Sequence, residues 1–182
     1  MTRARLPALA VGTPGRPVLY VLYALILITV QGALSRLLDG SPVPPPNLFL
    51  LTGVALVWRL SPTVALLGAY GVGLAQDVLG GGALGLHAAG VAGGVLLVLT
   101  VRRLVVDSGV IQGVVTVLAA TAGQWLAFLF LTYWLRSDLV TTDTLIRTVP
   151  LAFLTTLIAY PLWERVVNWA LGPRAGSQRG LG

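Results

Sequence analysis

Three features of this chain have the residue types and spacing for site chemistry: Asp77, His87 and the glycine run Gly80-Gly81-Gly82 between them. A carboxylate and an imidazole ten positions apart, across a glycine turn, can share a proton or orient one another. One His and one Asp fall far short of a zinc set, which needs three or four ligands. The chain has no Cys, so thiolate chemistry and disulfides are excluded. The glycine run lacks the Lys and Ser/Thr that complete a phosphate loop. No Ser-His pair stands at a credible spacing, and no paired aspartates lie deep in an apolar segment, where proton and ion pumps place several carboxylates; only Asp77 comes close, at an edge. The expectation is therefore no catalysis, no metal and no cofactor. Asp77 closes an apolar helix, where the helix dipole is negative, so it needs partners. The candidates are the turn amides, His87 and Arg36. A structural clamp of the hairpin is favoured over a ligand or proton site.

The elements that must position these residues are membrane helices. Hydrophobic residues make up 56% of the 182 and charged residues only 10%, with a mean hydropathy of +0.88. A soluble domain carries about a quarter charged residues. The net charge of +6 comes from twelve arginines with no run longer than two, so nucleic-acid binding has no footprint. The sequence predicts an all-α integral membrane protein, a bundle of six transmembrane helices over 18–38, 47–58, 63–79, 84–101, 109–135 and 145–171. A segment 1–17 precedes them and a tail 172–182 follows. The run 47–58 is the weakest, too short to cross alone; it follows the stiff Ser41-Pro42-Val43-Pro44-Pro45-Pro46. With the N-terminus inside, nine arginines fall on the inner side and three on the outer. This positive-inside bias predicts both termini in the cytoplasm. Trp58, Trp163 and Trp169 fall near the inner interface, and Tyr133 and Trp134 near the outer one.

Small residues recur at helical spacing. Ala65, Ala69, Gly73 and Asp77 share a face of the third span, and internal packing on the fourth is expected. Gly90 and Gly94 mark a face of the fourth span, and Ala119, Gly123 and Ala127 one of the fifth. Such faces let helix backbones approach in lipid, and the fifth-span face is expected to dock a partner helix. Gln31 and Gln124 are expected to face the protein interior, and Thr155 and Thr156 to bond back to their own helix.

The stretch from Gly68 through Asp77 to Ala88 resembles the rod shape-determining MreD family. That family carries a G-L-x-x-D segment, a small-residue turn and L-G-(hydrophobic)-(N/H/Y)-A. Gly73, Leu74, Asp77, Leu84, Gly85, His87 and Ala88 match it, and Trp58-Arg59 and Ala159-Tyr160-Pro161-Leu162 are also similar. The resemblance implies a bacterial inner-membrane component of the cell-elongation machinery. Its partners would be the single-span MreC and, beside it, RodA, a class B penicillin-binding transpeptidase and the MreB filament. It also implies a fold similar to the substrate-binding S-components of energy-coupling-factor transporters. Gly73, Asp77, Gly80, Gly81, Gly82, Gly85 and His87 carry over as a hairpin motif without an assigned chemical role. The triple proline departs from the pattern. The alternative function is a small-molecule-binding transporter subunit, with an outer pocket roofed by loops near Asp39, Asp77, Asp138 and Asp143.

Overall fold

The computed structural model describes residues 17–81, 83–102, 109–136 and 143–174. They are helical throughout, without strands among the described residues: α1 Pro17–Leu37, α2 Leu48–Val57, α3 Pro62–Gly80, α4 Leu86–Val101, α5 Gly109–Trp134 and α6 Val149–Leu171. A π-helical turn over Thr144–Thr148 leads into α6. Four helical stretches, Pro17–Leu37, Pro62–Gly80, Gly109–Trp134 and Leu145–Leu171, are long and apolar enough to cross a membrane. α4 is shorter at 16 residues, and α2 has only ten.

α2 is the axis of the bundle. It touches all five other helices, and nine of its ten residues are buried. A helix apolar on every face belongs in an interior, and LFLLTGVALV offers only Thr52 as a polar group. That hydroxyl donates to Leu48 O at 2.8 Å and meets Tyr23 Oη at 2.7 Å and Trp163 Nε1 at 3.1 Å. Trp163 is 5% exposed: it is a core residue, not the interfacial anchor its position in the sequence suggested.

A ten-residue helix spans only about 15 Å, against roughly 30 Å of hydrocarbon. The proline segment that precedes it also lies partly inside the bundle. Leu48 N–H donates to Gln31 Oε1 at 2.9 Å, and Gln31 sits six residues, or about 9 Å, before the end of α1. The chain therefore descends into the bundle before α2 begins. Pro46 is buried, and Pro44 and Pro45 are half-buried. An extended leg normally carries unpaired N–H groups into an apolar interior at several kcal/mol each. Proline has none to carry. The triple proline thus supplies an entry leg free of that cost.

The core divides on the two sides of α2. Leu50, Val54 and Val57 pack with Ala69, Val91, Val95, Val98 and Ala120. Phe49, Leu51 and Ala55 pack with Tyr23, Leu27, Val117, Trp163 and Val167. α3, α4 and α5 form the tight half. α1 rests on α6 and α2, and a cleft separates it from α3.

Candidate functional site

The Asp77 carboxylate is 1% exposed and accepts four hydrogen bonds. Oδ2 takes Gly85 N–H at 2.8 Å and Ala88 N–H at 3.1 Å; Oδ1 takes His87 N–H at 2.9 Å and faces His87 Nδ1 at 2.8 Å. These are the first amides of α4, which have no partner within their own helix. The conflict with the α3 dipole is thereby resolved. Asp77 lies at the negative end of α3 but also at the positive end of α4, where an anion is stabilised. Arg36 is not among its partners, and neither Gly80 nor Gly81 donates to it; the clamp uses amides of the helix beyond the turn.

The glycines around it do different work. A Cβ at Gly73 would stand 2.5 Å from His87 O and 2.6 Å from Ala88 Cα, so only glycine lets α3 and α4 meet backbone to backbone one turn from Asp77. Gly81 and Gly85 hold φ of +64° and +94°, a region that side chains disfavour. Gly80 has open space around it and ordinary backbone geometry. Gly82 lies outside the described residues. Ala65, Ala69 and Asp77 are buried on the same face as Gly73.

His87 keeps its ring at the rim, with the side chain 34% exposed and edge-on to Phe128 at 5.7 Å between centroids. Asp77 orients this imidazole as a carboxylate orients a catalytic histidine, yet no nucleophile is hydrogen-bonded to the ring among the described residues. Nor does any group of three or more His, Asp or Glu approach metal-binding spacing there. The arrangement can hold two helix ends and present one imidazole nitrogen.

The two small-residue faces proposed for partner docking face each other. A Cβ on Gly123 would collide with Gly93 O, and would lie 2.8 Å from Gly94 Cα. One on Gly94 would meet Ala120 O at 2.6 Å, one on Gly90 the Phe128 ring at 2.5 Å, and one on Gly93 the Ala127 Cβ at 2.9 Å. Ala119 is buried. The expectation that Ala119, Gly123 and Ala127 stay free for a partner is corrected: α4 and α5 consume both stripes, because close backbone approach within the chain needs the same small residues.

Two polar networks escaped the motif search. At the N-terminus of α2, Asn47 Oδ1 accepts from Leu50 N–H at 2.9 Å, Asn47 N–H donates to Thr156 Oγ1 at 3.2 Å, and Asn47 Nδ2 approaches Gln124 Oε1 at 3.4 Å. The Thr156 hydroxyl thus serves another element, and no bond from it to its own helix is found among the described residues; Thr155 does bond back, to Ala152 O at 3.1 Å. At the other end of α2, Arg59 donates to Ala55 O at 2.7 Å and to Glu164 at 3.1 Å, and also reaches Asn168 and Gly172 O. Arg174 pairs with Glu164 at 3.0 Å, bonds Tyr160, and lies over the Trp58 ring at 5.5 Å. Burial opposes the charge on Arg174, and Glu164 and Tyr160 more than offset it, so its pKa is raised. The signal for both networks was present as Gln, Asn and Glu inside apolar runs, but their pairing across four helices is not readable from spacing.

The acidic residues invoked for an outer ligand pocket do not converge. Asp77 is enclosed by its own donors, Asp39 is exposed, and Asp143 pairs with Arg147 at 2.6 Å on the surface. Asp138 lies outside the described residues.

No family model, curated protein or solved structure matches the chain.

Proposed function

We propose that this chain is a non-enzymatic scaffold subunit of the bacterial cell-elongation complex, similar to the MreD family, that holds the single-span MreC in the inner membrane. In this reading it crosses six times with both termini in the cytoplasm, α2 making its pass together with the buried proline leg. RodA, the penicillin-binding transpeptidase and the MreB filament would be reached through that partner. A fold similar to the energy-coupling-factor S-components belongs to the same proposal. The observation that supports it most is the Asp77 clamp. The residues carrying the family resemblance, Gly73, Asp77, Gly85, His87 and Ala88, meet in one hydrogen-bonded and close-packed unit.

Sidedness has support from charge among the described residues. The end bearing Arg59, Arg102, Arg165 and Arg174 holds one acid, Glu164, whereas the opposite end balances Arg36, Arg136 and Arg147 against Asp39, Asp77 and Asp143. The excess of cations belongs on the cytoplasmic side.

With the α4 and α5 stripes used internally, a surface open to a partner helix is the cleft between α1 and α3, about 340 Å³, walled by Ala24, Ile28, Gly71 and Ala75. A Cβ on Gly71 would meet nothing within 4 Å. Affinity purification of the tagged chain should bring down MreC in stoichiometric amount, and Gly71→Leu should remove it while leaving thermal unfolding unchanged. Recovery of a vitamin-sized molecule and no single-span protein would favour the transporter subunit instead.

A further inference from the structure

At the end opposite the clamp, the seam between α3 and α4 opens outward into a groove of about 480 Å³ lined by Pro62, Thr63, Leu66, Leu96, Leu99, Thr100 and Arg102. Its deep part is leucine; Leu96 is 54% exposed. Its rim is cationic and rich in donors. Among the described residues Arg102 makes one side-chain hydrogen bond, from Nη1 to Val57 O at 3.2 Å, out of the five donors of a guanidinium. Ser61 caps α3 without a side-chain hydrogen bond, so the first-turn amides of Thr63 and Val64 point outward at the positive end of a 19-residue helix dipole. Glu164, the one acid described at this end, is engaged by Arg59 and Arg174.

We propose that this groove binds one acidic phospholipid, its phosphate held by Arg102 and the α3 first-turn amides and one acyl chain lying on Leu66, Leu96 and Leu99. Charge complementarity chooses this occupant. The α1–α3 cleft has no charged residue on its walls, and the α5–α6 groove beside Tyr160 ends at a network that already contains Glu164. In lipid, a groove with an apolar floor and a cationic rim at headgroup depth matches a phosphate with a chain attached. The inference needs only that the helices lie in a membrane and is independent of the cell-elongation role.

Native mass spectrometry of the full chain, offered phosphatidylglycerol and phosphatidylcholine of equal acyl composition, tests it. The wild type should retain one phosphatidylglycerol with about fivefold preference, the scale expected for one arginine at an anionic surface. Arg102→Gln should bring the two lipids to parity. Because Arg102 also holds Val57 O, Thr63→Asp provides a second variant: a carboxylate at a helix start favours the helix yet repels a phosphate, so preference should fall without loss of thermal stability. Leu99→Trp should reduce retention of the lipid by filling the chain groove, and Arg147→Gln, at the other end, should change nothing. Equal retention of the two lipids by the wild type, or a preference that survives both Arg102→Gln and Thr63→Asp, overturns the site. Displacement by excess inorganic phosphate overturns the acyl-chain half of the assignment.

Discussion

The two ends of the bundle solve the same problem with opposite chemistry. At the hairpin end, the starts of α2 and α4 expose N–H groups, and the acceptors sent to them are Gln31, Asn47 and the buried carboxylate of Asp77. At the arginine end, α2 finishes and exposes carbonyls, and the donors sent to them are Arg59 on Ala55 O and Arg102 on Val57 O. The sign of each helix end dictates the residue type. The difference teaches why acids and arginines in this chain segregate by end. The segregation serves helix termini inside the bundle.

The largest expected effect is at Asp77. Asp77→Leu leaves three backbone amides and the imidazole without their acceptor, at about 1–3 kcal/mol for each buried unpaired group, and should lower thermal stability by more than any other single change at either end. Asp77→Asn keeps an acceptor and should cost clearly less; equal losses for the two would mean that charge rather than hydrogen bonding holds the clamp. Next comes Gly123→Leu, which drives a side chain into the α4 backbone and should unfold the α4–α5 pair at a cost of about 3 kcal/mol or more, beyond ordinary overpacking.

Smaller effects sharpen the contrast between the ends. Arg59→Gln and Gln31→Leu should each destabilise by about 1–2 kcal/mol, the worth of one or two partly buried hydrogen bonds. Only the Arg59 change should shrink as ionic strength rises, since Arg59 is ion-paired with Glu164 whereas Gln31 is neutral. If both respond alike to salt in unfolding titrations, the ends are not chemically distinct. Smallest of all is Pro45→Ala. It adds one N–H and one flexible residue to the half-buried entry leg and should cost about 0.5–1 kcal/mol.

Much of this was legible in the sequence. The six apolar runs coincide with the six helices to within two residues at each boundary once the π-helical turn Thr144–Thr148 is counted with α6, because apolar runs bounded by Gly, Pro and Arg are strong local signals. Asp77 was legible as a residue in need of partners, since an ionisable group at a span edge is costly alone. Its His87 partner was legible as well, but the α4 amides were not, because they are brought to it only by the Gly73 contact. The free use of Gly123 was misread for a related reason. A small-residue stripe shows that some backbone comes close, not whose. The pairing of Gln31 with Leu48 N–H depends on how deep the proline leg descends, and no periodicity records depth.

The central claim is that the short axial helix α2 has its leading amides sealed by side chains of the surrounding elements. Residue-resolved hydrogen exchange compares them with the uncapped start of α3 in one experiment. Leu48 and Leu50 N–H, bonded to Gln31 and Asn47, should be protected, Thr63 and Val64 should exchange among the fastest helical amides, and Gln31→Leu should release Leu48 alone. Exchange of Leu48 and Leu50 as fast as that of Thr63 and Val64 would contradict the account.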